Sequence, residues 1–325
     1  PTISSGQSTK VLITSTPNGM NLFYKIWTES ENGKNSYKRV SVHWSQIPGR
    51  DQKWKKETID NTSERQFQQE YECEFLGSSN TLISGSMLAL LTHINPIERH
   101  GKLDIYDLPQ KDHIYITIVD TSRGSGIDYS AFVIFDITKF PYKVVAKYRD
   151  NEIPPLIYPN IIYNASVSYN KAYILVEIHD IGQQVADILY NDLEYENVLY
   201  TGADNNIGTG MKIVDIAGGK MSLGVRTTQQ VKRIGAANFK SLVESEKLII
   251  NDYDLLYELY RFVEVKGKYR AEEGEHDDLV MCCILFAWLV NQPYFKELSN
   301  NSARLELLQN NQKLIEDEVL PFGFM

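Results

Sequence analysis

Ile114-Tyr115-Ile116-Thr117-Ile118-Val119-Asp120-Thr121-Ser122-Arg123-Gly124-Ser125-Gly126-Ile127-Asp128-Tyr129 opens as a run of β-branched and aromatic residues and closes on a carboxylate and a glycine-punctuated turn. A second apolar run, Ser130 to Ile137, follows. That order spells a buried strand, a tight turn and an adjoining strand. Asp120 falls where the strand ends, at the kind of sheet edge where sites form. A turn-forming aspartate would occupy the same position for local reasons alone.

Downstream, the pattern predicts strands at 142–149, 172–178 and 197–200, with helices at 155–169 and 181–191 between them. Three strands followed by alternating helices and strands define a mixed α/β sheet. Residues 201–228 read as a long Gly- and Thr-rich loop leading into a capped helix, 229–245. A short strand (246–250), a helix (252–264), a polar turn (265–274) and a helix from Asp277 to Asn291 complete this part. Upstream, Val11 to Gly19 reads as a strand closed by a Pro-Asn-Gly turn, Asn21–Glu29 as a helix and Arg39–Trp44 as a strand. Asp51–Phe75 reads as two helices, divided by the capping residues of Asn61-Thr62-Ser63-Glu64. The domains expected are 1–76, a linker at 77–112, a main domain at 113–300 and a peripheral tail at 301–325.

The 325 residues carry a net charge of -9, so any nucleic-acid site must be a local basic patch rather than a global property. The three cysteines, Cys73, Cys282 and Cys283, form no CxxC, which argues against a disulfide framework or a zinc site and fits a reducing compartment. The longest apolar run, Leu279 to Val290, is too short to span a bilayer, so no membrane association is expected.

Two later stretches resemble the first in their chemistry. Ala172-Tyr173-Ile174-Leu175-Val176-Glu177-Ile178 is a buried strand ending near a carboxylate. Glu275-His276-Asp277-Asp278-Leu279-Val280-Met281 opens a helix that is apolar nearly all round. One acid at its start satisfies orphan N–H groups and the positive end of the dipole, a role we read for Asp277; Asp278 then remains. Three buried elements thus each deliver a carboxylate: Asp120, Glu177 and Asp278. An all-oxygen set without a Cys or His framework suits a hard cation, Mg²⁺ or Mn²⁺. A pair of such ions activates a water and stabilises the leaving oxygen of a phosphodiester. Asp277 is counted as a further metal ligand and Asp128 as an outer partner.

At these residues the chain resembles the large terminase subunit, the DNA-packaging motor protein, of contractile-tailed bacteriophages. The likeness runs over about residues 8–300. It is carried by Val11–Gly19 with Phe23-Tyr24-Lys25-Ile26-Trp27, by Val42-His43-Trp44, by Phe75-Leu76-Gly77-Ser78-Ser79, by Asp120 with Asp128-Tyr129, and by His276-Asp277-Asp278-Leu279-Val280-Met281. The resemblance implies an RNase H-like nuclease fold preceded by the C-terminal remnant of a P-loop ATPase domain. It implies that Thr14, Ser15 and Thr16 belong to the ATPase coupling motif and that Asp120, Glu177 and Asp278 are the nuclease triad. It also implies action on concatemeric viral double-stranded DNA in the host cytoplasm, with the portal protein, the small terminase subunit and a missing N-terminal ATPase region as partners.

Independently of that likeness, Lys212, Lys220, Arg226, Lys232, Arg233 and Lys240 face one acid, Asp215, between Met211 and Lys240. The patch reads as a phosphate-backbone cradle without base readout, or as a solvated face. Two further functions compete with metal-dependent endonuclease: a non-catalytic module that grips DNA and docks on the portal, and a recombinase or junction resolvase. A pure grip has no use for three acids near phosphate, and a resolvase has no use for residues 11–76. No G-x-x-x-x-G-K-[ST] occurs, since Gly218-Gly219-Lys220-Met221 fails at the first Gly and at the Ser/Thr position. ATP hydrolysis by this chain alone is therefore not expected, and ATP is expected to leave its melting temperature unchanged. A saturable stabilisation of about 2 kcal/mol or more, which linkage gives at ~100-fold excess of ligand over Kd, would contradict that.

Overall fold

The computed structural model describes residues 10–17, 22–31, 33–73, 75, 81–202, 207–208 and 222–299. The chain divides into two compact units, 1–81 and 82–325.

In the first unit, α1 (Leu22–Glu31), α2 (Gln52–Asn61) and α3 (Glu64–Glu70) are helical. The break between α2 and α3 falls at the capping residues: the Ser63 side chain accepts from the N–H of Gln66, and Asp51 caps α2 through the N–H of Trp54. Trp44, Trp54, Phe67 and Tyr71 pack ring to ring. Neither strand expected here forms. Residues 10–17 join no ladder and are exposed up to Thr16, and 39–44 ends in a single 3₁₀ turn, Trp44–Gln46. β-branched composition favours a strand only where a neighbour can pair with it. Asn18 and Gly19 lie outside the described residues.

The second unit is built on a seven-stranded sheet. Its strands are β1 (Glu98–His100), β2 (Leu103–Ile105), β3 (Tyr115–Asp120), β4 (Ser130–Asp136), β5 (Tyr142–Asp150), β6 (Tyr173–Val176) and, much later in the chain, β10 (Leu248–Ile249). The order is β1-β2-β5-β4-β3-β6, with β10 also on β5. β3 runs antiparallel to β4 and parallel to β6, with Val119 opposite Val176. Asp120 and Glu177 are thus neighbours just past the same edge. Every residue of β3 is buried except Asp120, because helices cover both faces. On one face lie α5 (Tyr158–Ser168) and α6 (Gly182–Asp187), whose Tyr158, Ile162 and Val185 meet Val119 and Phe132. On the other lies α9 (Asp278–Val290), buried from Asp278 to Leu289, with Phe286 stacked on Phe135 at 4.0 Å. Outside it, α7 (Gln229–Glu244) crosses α9 where Gly235 has no side chain: a Cβ there would sit 2.4 Å from the Ile284 carbonyl oxygen.

The 77–112 stretch, expected to be a linker, instead supplies helix α4 (Gly85–Leu90) and the β1–β2 pair. Those strands are only three residues long, too short to show an alternation in sequence. The expected 201–228 loop carries the small sheet β8-β7-β9, made of β7 (Tyr200–Thr201), β8 (Ile207–Gly208) and β9 (Ser222–Leu223). The expected helix 252–264 stops early as α8 (Tyr253–Arg261). The expected polar turn after it is a hairpin, β11 (Phe262–Val265) with β12 (Lys268–Ala271). Lys266 and Gly267 both have positive φ, at 54° and 75°, which is the two-residue turn that matches strand twist. Among the described residues no single helix is long and apolar enough to cross a membrane.

Phe286→Ala is expected to cost ~3–5 kcal/mol, because it opens a cavity between α9 and the sheet. A urea midpoint close to the parent's would show that this stack does not hold the layers together.

Candidate metal centre

The β3 and β6 ends place two carboxylates side by side, and the start of α9 carries a third, Asp278, that feels the Asp120 carboxyl. Asp120 Oδ1 accepts from the N–H of Thr121 at 2.9 Å. Its carboxyl is held well above the usual carboxylate range by burial, then by Glu177, Asp277 and Asp128. Glu177 is 6% exposed. Both its oxygens are fixed by backbone donors, Oε2 by His179 N–H at 2.8 Å and Oε1 by Thr227 N–H at 3.1 Å. The first turn of α6 passes so close that a Cβ on Gly182 would lie 1.8 Å from the Glu177 carbonyl oxygen. Only glycine admits that approach.

Asp278 is 5% exposed. Burial pushes its carboxyl up to about 10, helped by the neighbouring carboxyls of Asp128, Glu258 and Asp120. Its Oδ2 is buried without a hydrogen-bond partner among the described residues. Arg149 at 3.9 Å and His276 Nδ1 at 4.0 Å are both too far to donate. One ligand atom from each of Asp128, His276 and Asp278 lies within 4.8 Å of the others.

Of the three acids expected from sequence, Asp120 and Glu177 follow paired strand ends and Asp278 feels the Asp120 carboxyl, but the compact group is Asp128, His276 and Asp278, without Asp120 or Glu177, and the role read for Asp277 is corrected. It occupies the N-cap position of α9 and makes no side-chain cap. Its backbone, at φ -133 and ψ 19, departs from the extended form that aims an N-cap side chain at the first turn. Asp277 Oδ2 instead accepts from Ala271 N–H at 3.2 Å and lies 3.8 Å from Lys232 Nζ. The cap comes from α8: Glu258 Oε2 accepts from the N–H groups of Leu279 and Val280 at 2.9 and 3.0 Å. Its Oε1 lies 3.2 Å from Arg149, whose guanidinium lies 3.8 Å from the Tyr129 ring centre. Tyr129 in turn meets His276 edge to face. Sequence reasoning missed Glu258, Arg149 and His276. The one available signal was a glutamate among Leu255, Leu256 and Leu259 on the buried stripe of α8.

A second acidic group, Asp104, Asp252 and Asp254, has similar spacing. It already holds a cation, because Lys147 Nζ lies 3.0, 3.4 and 2.6 Å from the three. Burial works against that ammonium, but Asp252 and Asp254 outweigh it and hold its pKa above the ordinary lysine value.

Of the basic residues expected to hold DNA, Lys232, Arg233 and Lys240 lie on α7 and Arg226 is exposed just before it; Lys212 and Lys220 lie outside the described residues. Thr14, Ser15 and Thr16 are exposed in the first unit.

With this geometry in hand, the likenesses to known proteins are specific. The family model of the terminase RNaseH-like domain matches residues 117–286, more than half of the chain, and the model of the N-terminal part of the T4likevirus-type terminase large subunit matches residues 1–90. The chain belongs to the terminase large subunit family. Among relatives, the large terminase subunit of Thermus virus P23-45 is 27% identical and that of Thermus phage G20c is 26% identical. Each alignment covers 84% of this chain and 54% of the relative, so the chain spans about half the length of these curated relatives. The structure of the large terminase nuclease from thermophilic phage G20c with bound magnesium matches with a TM-score of 0.50 at 21% identity. That match covers 65% of this chain and 98% of the other, and it supports the RNase H-like fold.

Glu258 makes stability depend on pH. Burial first, against the opposing pull of Arg149 and the two helix N–H donors, raises its carboxyl from 4.5 to about 8. A raised carboxylate pKa means that the unfolded chain ionises first. Between those two values rising pH favours unfolding, and Asp278 acts in the same direction. Metal-free protein is expected to lose melting temperature as pH rises from about 5 to about 8, and Glu258→Gln to show a shallower loss. An equal slope in both proteins would place the titrating groups elsewhere.

Proposed function

We propose that the chain is a metal-dependent endonuclease that cuts concatemeric viral double-stranded DNA during genome packaging into the procapsid. The observation that carries this reading is the buried Oδ2 of Asp278, unpartnered among the described residues, grouped with Asp128 and His276 and close enough to Asp120 to feel its carboxyl. A buried carboxylate oxygen without a donor is costly, and a divalent cation is a partner that such an oxygen accepts beside other carboxylates. The donor set fits Mg²⁺ or Mn²⁺, and the G20c nuclease structure is of a protein with bound magnesium. Asp120, Glu177 and Asp278 would hold the metal, with Asp128, His276 and Asp277 around them. When bound, two such ions supply an activated water and stabilise the leaving oxygen.

The chain's own residues supply order. The backbone donors of His179 and Thr227 fix the Glu177 carboxylate before any ligand arrives. Glu258 and Arg149 hold the mouth of α9, and with it Asp278. Arg226, Lys232, Arg233 and Lys240 are the residues we assign to the phosphate backbone. Residues 1–76 we read as the rear of the motor ATPase, with Thr14 to Thr16 in its coupling motif. The portal protein and small terminase subunit are the proposed partners at the procapsid, in the host cytoplasm. The likeness of residues 1–90 to a terminase N-terminal region favours this over a junction resolvase.

Digestion of supercoiled plasmid in Mg²⁺ or Mn²⁺ tests the proposal. Asp120→Asn and Asp278→Asn are each expected to slow cleavage at least ~100-fold, because a neutral amide oxygen is a poor ligand for a hard cation. Duplex binding should persist in both. Cleavage at the parental rate in either variant would overturn the assignment. Parental protein that binds DNA without cutting it under any divalent cation would favour the gripping module.

A further inference from the structure

A groove of about 750 Å³ runs between α7 and the β11–β12 hairpin. Lys232, Arg233 and Lys240 line it from the helix, and Lys268 and Arg270 line it from the hairpin, with Tyr269 between them. No carboxylate lines it, in a chain of net charge -9. Among the described residues Arg233, Lys268 and Arg270 form no ion pair; Lys232 and Lys240 have only loose ones, at 3.8 and 3.9 Å.

Both walls are fixed. Val231, Phe239 and Leu242 bury the inner face of α7, and Gly235 lets it lie against the Ile284 carbonyl. Its cations are thereby left on the outer side. The hairpin is tied down where Glu272 N–H meets the Arg261 carbonyl at 3.0 Å and where Ala271 N–H meets Asp277 Oδ2 at 3.2 Å. Lys232 approaches the same Asp277 oxygen. Asp277 thus ties the helix wall to the hairpin wall, one residue before Asp278. Both walls therefore contact the residue that precedes Asp278 at the start of α9.

We infer that this groove seats the sugar–phosphate backbone of one DNA strand and delivers it to the carboxylates, with the hairpin residues Lys268 and Arg270 as the second wall of the cradle. The occupant follows from charge complementarity and from the contact of both walls with Asp277, next to Asp278; that it is the strand to be cut rests on the nuclease reading. Five cations with no base-reading geometry bind phosphate regardless of sequence, and Tyr269, stacked on Phe262, offers a rigid ring beside them.

The test uses the full chain with Lys268→Glu and Arg270→Glu combined, both at exposed positions, after its melting temperature is shown to match the parent's. Binding of a short mixed-sequence duplex is followed by fluorescence anisotropy in EDTA from about 50 to about 200 mM salt. The expected result is at least ~10-fold weaker binding and a log–log salt slope shallower by about 2, two phosphate contacts having been removed. In plasmid digestion the same variant is expected to raise KM and leave kcat near the parent's. The charge-preserving pair Lys268→Arg and Arg270→Lys should restore parental binding. Parental affinity and slope in the charge-reversed variant would overturn the groove, even if Asp120→Asn abolishes cleavage. Weakened binding in a protein that never cuts would instead sink the nuclease reading and leave the groove standing.

Discussion

Mutual repulsion among carboxylates at one sheet edge is the constraint on which the rest of this unit depends. Asp120, Glu177 and Asp278 arrive from β3, β6 and α9, and burial together with proximity holds Asp120 and Asp278 well above the ordinary range. Such an arrangement costs stability wherever the groups ionise, so the surroundings must impose it. They do so with rigid parts. Six consecutive residue pairs join β3 to β4, and four join it to β6. Backbone amides grip both oxygens of Glu177. Gly182 and Gly224 allow α6 and the 224–225 segment to close on the end of β6; a Cβ on Gly224 would lie 2.3 Å from the Val176 carbonyl oxygen.

The start of α9 shows how an apolar helix can carry a buried acid. Its residues from Leu279 to Leu289 are all buried, which fixes its axis but leaves the orphan N–H groups at its mouth to be satisfied. Asp277, the residue placed to cap them, is engaged with β12 and Lys232 instead. Glu258 takes over from another helix. A cap from α8 also ties that helix to the acid edge, so three elements converge where a local cap would have involved one. Arg149 then offsets the charge of Glu258 and is itself held over Tyr129.

How much of this was legible in the sequence depends on the range over which each signal acts. β3, β6 and α9 were legible as apolar runs ending or beginning in acids, because burial writes itself into consecutive residues. Helices α2 and α3 were legible through Ser63, since capping is local. The Glu258 cap was not, because its partners Leu279 and Val280 lie about twenty residues further along the chain. The hairpin was hidden by a Lys266-Gly267 turn, where Asn or Asp before the glycine would have announced it. Val11 to Thr16 misled in the opposite direction: its composition fits a strand, but a strand is a property of a pair. The carboxylates' chemistry was legible residue by residue, whereas their convergence needed the register of Val119 against Val176.

Among the described residues two acid clusters are treated differently, and the difference argues for what each is for. Asp104, Asp252 and Asp254 surround Lys147, with Arg99 beside Asp104 and the Tyr106 hydroxyl donating to Asp252. That cluster is electrostatically closed: its cation is covalently part of the fold. At the other cluster the nearest guanidinium, that of Arg149, is committed to Glu258 and stacked on Tyr129, and it stops 3.9 Å short of Asp278. A lysine or arginine reaching a little further would have removed the repulsion and stabilised the protein. Among the described residues no cation lies within hydrogen-bond reach of Asp278, which is the condition for a site that takes its cation from solution.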